Sequence, residues 1–262
     1  MNNSPTTVIL CGTNETIPSD ILDLLLTQAR RGCGRLMVVD EGSQLARLHA
    51  AQDTDFLLDP AIGNWDFFAD HLTQHEIAYA AEAILRSDGV APEIYNAVSC
   101  VLADMLWEVA AKPGAGLRDV PERVRAFGYE SMANAMRLDL DTATDTRAGW
   151  TALARLQEDA GRFAAGTSST PTSIRRWLTT SPRSVLFLTA GAAVNDGACR
   201  SVQAAIDCVA RLEVNAGREV QIVQIHSASV FRHAVARRVT AVGALAGPDR
   251  RPLLKVKILK GE

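Results

Sequence analysis

Thr6 to Gly32 reads "TTVILCGTNETIPSDILDLLLTQARRG". The short apolar run "VILC" has the character of a strand buried on both faces. It meets Gly12, a polar stretch follows, and "DILDLLLTQARR" then repeats its aliphatic residues at helical spacing. Strand, glycine turn and helix amino terminus together outline a phosphate-binding loop, which wraps bare N–H groups around an anion. A working loop reads G-x-x-x-x-G-K-[ST], with the lysine reaching the outer phosphates and the hydroxyl holding Mg²⁺. Gly12 and Ser19 stand at its first and last positions, but Ile17 replaces the second glycine and Pro18 the lysine.

A nucleotide in this loop would meet Gly12, Thr13, Pro18 and Ser19. Pro18 offers neither a charge nor an N–H, and Ile17 puts a branched Cβ where the backbone must approach the phosphate. Glu15 and Asp20 add negative charge at a helix end whose dipole otherwise attracts anions. The loop is therefore degenerate, nucleotide binding in the usual manner is not expected, and no cofactor is assigned. Ser19 or Asp20 is the expected helix N-cap and Gly32 the expected residue after its end.

Working outward, "RLMVVDEGS" supplies a second buried strand, Leu36 to Val39, ending in Asp40, Glu41 and Gly42. Strand, helix and strand within this span make a βαβ unit, so a parallel sheet follows. From Trp65 to about Phe163 the apolar residues recur at helical spacing, with breaks at "RSDGVAPE", "AKPGAGLRDVP" and "LDLDTATDTRAG" that divide the stretch into four or five helices. The Ser/Thr/Gly/Pro-rich "AAGTSSTPTS" leads back to α/β patterning: helix "SIRRWLTT", strand "RSVLFLTA", helix "GACRSVQAAIDCVARLEVN" and strand "REVQIVQIHS". A helix from Ser229 to about Ala241 and the strand "LLKVKIL" complete the reading. The expected division is an α/β domain over 1–62 and 169–262 around a helical insertion over 63–168.

The chain of 262 residues is long enough to bury a full core, and its net charge of -3 excludes a generic polyanion binder. That balance is uneven: from Arg232 to Glu262 there are eight Lys or Arg against two acids, leaving about -9 for the remainder. The basic tail, with Arg237, Arg238, Arg250, Arg251, Lys255 and Lys257, reads first as a solvated face and second as a contact for nucleic acid or an acidic partner. Cys11, Cys33, Cys100, Cys199 and Cys208 form no C-x-x-C pair, which suits free thiols in a reducing compartment. No signal peptide and no apolar segment long enough to cross a membrane is evident.

The remaining candidates for chemistry are few. "LMVVDE" could supply a metal-holding acid pair in Asp40 and Glu41, although a strand-end turn explains the same residues more simply. "VQIVQI" ends in His226, Ser227 and Ala228, with no carboxylate. His71 and His75 lie four apart and could share a metal on a helix, but the third ligand is missing and they read as a surface pair. No metal site is expected. His226 lies at a strand's carboxyl end, where open α/β sheets bind ligands, but without a nucleophile elbow nearby it reads as structural.

The succession of these elements resembles the TraD-like coupling proteins of type IV secretion and conjugation, members of the RecA-like P-loop superfamily. The likeness lies in "VVDEGSQLARL", in "DTDFLLDPAIGNWDFFAD", in the helices "HEIAYAAEAIL" and "PEIYNAVSCVLADMLWEVA", and in "PTSIRRWLTTSPRSVLFLTA". It spans residues 6 to about 230. The resemblance implies an α/β fold with a RecA-like parallel sheet flanked by helices and an inserted all-α domain. In the family that domain faces incoming DNA, and the motors assemble as hexameric rings with nucleotide between subunits.

The expected departures from the family are the amino-terminal membrane anchor, the Walker A lysine, the Walker B acids and a longer carboxyl-terminal motor part. His226 and Ser227 stand where the acids belong. The resemblance thus points to a non-catalytic subunit that binds secretion or conjugation proteins, an intact coupling ATPase among them. A DNA-binding module is the second reading, and a divergent DNA-translocating ATPase using Asp40 and Glu41 the third. A monomer, or a hetero-oligomer with an intact relative, is expected in the cytoplasm, with a peripheral place at the inner membrane as the alternative.

Overall fold

The computed structural model describes residues 6–12, 17–40, 44–51, 53–59, 64–85, 91–139, 141–161, 171–180, 183–189, 196–225, 241–246 and 252–259. The chain divides into two compact units, Met1–Pro60 with Thr172–Glu262, and Ala61–Pro171.

The first unit is built on a sheet of seven strands: β1 (Thr7–Gly12), β2 (Arg35–Asp40), β3 (Phe56–Leu58), β4 (Val185–Thr189), β5 (Val220–Ile225), β6 (Ala241–Ala246) and β7 (Pro252–Leu259). Their order across the sheet is β3-β4-β2-β1-β5-β7-β6. β1 to β5 are parallel, whereas β7 pairs antiparallel with β5 and β6 antiparallel with β7. The sheet is therefore mixed rather than wholly parallel. Ala241, read from sequence as the end of a helix, opens β6; the rest of that helix lies outside the described residues.

The central strands are apolar without alternation because both faces are covered. Leu10, Leu36, Val38, Val185 and Phe187 share a buried cluster with Leu22, Leu26 and Ala29 of α1 (Ser19–Arg30) and Leu45 and Ala46 of α2 (Gln44–His49). The intervening residues Ile9, Cys11, Met37, Val39, Leu186 and Leu188 are buried on the opposite face. Thr7 shares that face with Ile9 and donates its hydroxyl to Glu213 of α10 (Asp196–Asn215), so α10 covers it. α10 packs in turn on α9 (Ile174–Thr180).

Leu22, Leu26 and Ala29 form the inward stripe of α1. The helix ends as expected: Gly32 takes φ +80° and its N–H reaches Ala29 O, while the Cys33 N–H reaches Gln28 O. These two bonds form a Schellman cap, and the left-handed turn is one that glycine adopts without strain.

The described elements of the second unit are helices. They are α3 (Phe67–Asp70), α4 (Gln74–Ile84), α5 (Pro92–Ala110), α6 (Val120–Arg125), α7 (Tyr129–Met136) and α8 (Ala143–Gly161), with a 3-10 turn at Leu117–Asp119. Six helices among the described residues thus replace the four or five expected, because "GLRDVPERVRAFG" folds as a short turn and helix of its own and the turn at His71–Thr73 separates α3 from α4. α5 packs against α4, α6, α7 and α8, and its buried residues Val98, Leu102, Met105, Leu106 and Val109 form the centre of the unit. α4 opens with a capping box, in which Thr73 Oγ1 accepts from Glu76 N and Glu76 Oε2 accepts from Thr73 N, both at 3.2 Å.

Candidate functional site

The parallel register places the carboxyl ends of the central strands side by side: Gly12 lies against Asp40, Asp40 against Thr189, and Cys11 against Gln224. Ligands of open α/β sheets occupy this end. The sequence-derived loop residues belong here, since Gly12 ends β1 while Pro18 and Ser19 begin α1. Thr13 and Glu15 lie outside the described residues.

Pro18, not Ser19 or Asp20, is the N-cap of α1, and no side chain caps the helix. Its carbonyl accepts from Leu22 N at 3.1 Å, so a residue unable to donate closes the first turn through its oxygen alone. Ile17 is only 5% exposed and belongs to the buried cluster with Leu10, Leu22 and Leu45. A position that in a working loop stays bare for phosphate is here an anchor to the core. No lysine precedes Lys112 anywhere in the chain.

Asp40 is fully buried, and its Oδ2 accepts from Ala46 N at 3.0 Å. It satisfies an amide in the first turn of α2; Gly42, read with it as a strand-end turn, lies outside the described residues. The other member of the acid pair, Glu41, and the strand-end residues His226 and Ser227 lie outside the described residues. So do Arg237, Arg238, Arg250 and Arg251. Lys255 and Lys257 are part of β7, where they pair with Gln224 and Ile222.

The reading of His71 and His75 as a surface pair on one helix is corrected by the structure. His71 is 3% exposed and lies between α3 and α4. Its Nδ1 is 2.8 Å from Phe67 O, and its ring stacks on Phe67 with centroids 4.1 Å apart. The chain turns at His71–Thr73, so only His75 rides on α4, where it is exposed. Among the described residues no group of three or more His, Cys, Asp or Glu could hold a metal.

Two polar clusters escaped the sequence reading. Asp55, its side chain 1% exposed, accepts from Arg30 at 2.6 Å and Ala51 N at 2.9 Å through Oδ2, and from Val185 N at 2.9 Å through Oδ1. At the amino-terminal end of the sheet, Glu213 holds Arg218 by a bond of 2.6 Å and lies 3.6 Å from Arg35. Burial pulls the Arg35 guanidinium below its ordinary value, Glu213 holds it up, and Arg218 pushes it further down. Both clusters tie distant segments together far from the loop, and the sequence carries no local signal for either.

The sequence matches no protein-family model and no curated protein. Solved structures do match. The plasmid coupling protein TrwB in complex with the non-hydrolysable ATP analogue ADPNP aligns at TM-score 0.63 and 17% identity, over 88% of this chain and 59% of that one. The trigonal form of the bacterial conjugative coupling protein TrwBdeltaN70 in complex with sulphate aligns at 0.57 and 18%, over 82% and 55%. TrwB with ADP and Mg²⁺ aligns at 0.59 and 16%, over 82% and 54%. The chain therefore spans a little over half the length of these structures. The likeness establishes a RecA-like fold, whose five parallel strands are flanked by helices.

Proposed function

We propose that this protein is a non-catalytic, coupling-protein-like subunit, a pseudo-ATPase that serves conjugative DNA transfer or type IV secretion by binding other proteins of that machinery. One observation carries the reading: where a working loop has its second glycine and lysine, Ile17 is buried in the core and Pro18 is the helix N-cap. Phosphoryl transfer depends almost wholly on positioning and on electrostatic stabilisation. Replacing the loop lysine by proline and committing Asp40 to an amide of α2 removes both. The fold shared with TrwB supports the association with conjugation.

On this reading Ala61–Pro171 is an inserted all-α domain and the part that meets partners. It carries sixteen acids against nine Lys or Arg, a formal charge of -7, and since the whole chain is -3 the rest carries +4. A surface of that sign repels a polyanion, which counts against DNA as its ligand. The basic tail favours the DNA-binding alternative. A salt series decides it, since phosphate contacts give an affinity that falls steeply with salt. Among the described residues no helix is long and apolar enough to cross a membrane.

The test has two arms. Purified protein with Mg·ATP should show no turnover and no nucleotide-dependent rise in Tm, a sensitive readout because saturation at about 100 Kd adds about 2.7 kcal/mol. Hydrolysis at motor rates, lost on Ser19→Ala, would overturn the pseudo-ATPase reading. Affinity capture of the tagged chain from its host at moderate salt should return conjugation or secretion proteins. Recovery of nucleic acid and its binders alone would overturn the protein-binding reading.

A further inference from the structure

The helical unit carries an aromatic pair placed at a cost. Trp150 of α8 is 55% exposed and stacks on Tyr129 of α7, with ring centroids 4.6 Å apart and planes 18° from parallel. Tyr129 reaches that position because residue 149 is glycine: a Cβ there would come within 2.8 Å of Tyr129 Cε2 and 3.2 Å of Leu138 Cδ1. α8 thus gives up a side chain in its interior, where glycine is disfavoured, to let a ring lie against its backbone. The Tyr129 hydroxyl is moreover buried without a hydrogen-bond partner. The arrangement fixes the Trp150 indole in one orientation while leaving more than half of the residue open.

The charge of the two helices selects the occupant. The stretch Tyr129–Gly161 that forms them carries six acids and three arginines, with Arg147 one turn before Trp150. Asp145 in the first turn of α8 and Asp139 in the turn before it are held in place, since Asp145 Oδ2 accepts from Asp139 N at 2.9 Å and Asp139 Oδ1 from Asp141 N at 3.1 Å. A nucleobase could stack on the indole, but its phosphates would meet this field with the wrong sign. A cation meets it with the right one, and tryptophan is the best aromatic for a cation over its face. The planar guanidinium stacks where an ammonium cannot.

The geometry points to the Trp150 face of α7 and α8 as the docking site for a basic, arginine-bearing segment of a protein partner, with an arginine laid on the indole. The inference rests on the reading of the helical unit as the partner-binding part.

The experiment titrates the full chain with two peptides of equal length, repeats of Arg-Gly-Ser and of Lys-Gly-Ser, and with a thymine oligonucleotide. Wild type is compared with Trp150→Ala and Trp150→Phe, each checked for an unchanged far-UV spectrum and thermal midpoint. The arginine peptide should bind more tightly than the lysine peptide and weaken about two- to fivefold in Trp150→Ala. Trp150→Phe should fall between, with the lysine peptide nearly unchanged. Equal affinity of wild type and Trp150→Ala for the arginine peptide overturns the site. So does oligonucleotide binding that Trp150→Ala abolishes. Host capture separates the two levels: machinery proteins recovered equally by wild type and Trp150→Ala sink this surface and leave the function standing. A Trp150-dependent arginine preference with no machinery protein captured sinks the function and leaves the surface standing.

Discussion

Arg30 at the last turn of α1 donates to Asp55 at 2.6 Å, and the same guanidinium nitrogen lies 2.6 Å from His49 O. Asp55 in turn accepts the amide that begins β4, 130 residues away in sequence. One buried carboxylate thereby joins α1, the end of α2, the approach to β3 and the start of β4.

Asp55→Ala leaves the Val185 and Ala51 amides without their acceptor and the Arg30 guanidinium with His49 O but no counter-charge. We expect a loss of about 2 kcal/mol, mainly from the unsatisfied buried amides because the Arg30 side chain is partly exposed, with Asp55→Asn losing less because one oxygen still accepts. Urea unfolding of both variants measures the difference. A loss under about 0.5 kcal/mol for Asp55→Ala would show the cluster to be solvated.

Ile17→Ala discriminates a core anchor from an open loop. Truncating a buried isoleucine costs about 2–5 kcal/mol, whereas a solvated loop residue changes stability within about 0.5 kcal/mol. At 5% exposure the larger cost is expected. Restoring the lysine with Pro18→Lys should leave the protein inactive towards ATP, because Asp40 remains committed to α2. Thermal unfolding and a phosphate-release assay check the two statements.

Gly149→Ala should destabilise the helical unit although alanine is the better helix former by about 1 kcal/mol. The new Cβ at 2.8 Å from Tyr129 Cε2 forces the ring off α8, and the disrupted packing outweighs the gain in helix propensity. A lowered melting temperature together with altered near-UV circular dichroism of the displaced Tyr129–Trp150 stack is the expected result. A raised melting temperature would mean that the ring has another place to go.

Glu108 on α5 is held below its ordinary carboxylate value by the hydrogen bond from Arg123, at 2.7 Å. A depressed folded-state pKa contributes stability that is present above the unfolded value and is lost as pH falls through the folded one. The pair is largely exposed, so the effect is small and screened by salt. Side-chain NMR titration should place the Glu108 midpoint below that of a free glutamate, and Arg123→Ala should return it. An unchanged midpoint in Arg123→Ala would exclude the hydrogen bond as the cause.

β1, α1, β2, β4, α10, β5 and β7 were legible in the residues alone, as were the Gly32 stop and the missing loop lysine. Their periods of 2 and 3.6 are carried by neighbours a few positions apart. β3 and α2 have too few residues for a period to show, and β6, "AVGALA", offers small residues without strand character. Whether a polar residue is buried depends on what folds over it. His71 looked like half of a surface pair until the turn before α4 put it against Phe67. Thr7 and Glu213 are 206 residues apart and Asp55 and Val185 130 apart, so no local pattern could pair them. The sequence alone determined that the loop lacks its second glycine and its lysine, because that depends only on which atoms residues 17 and 18 possess. That Ile17 fills the core, Asp40 serves α2 and Tyr129 lies on Gly149 followed only once distant segments competed for the same space.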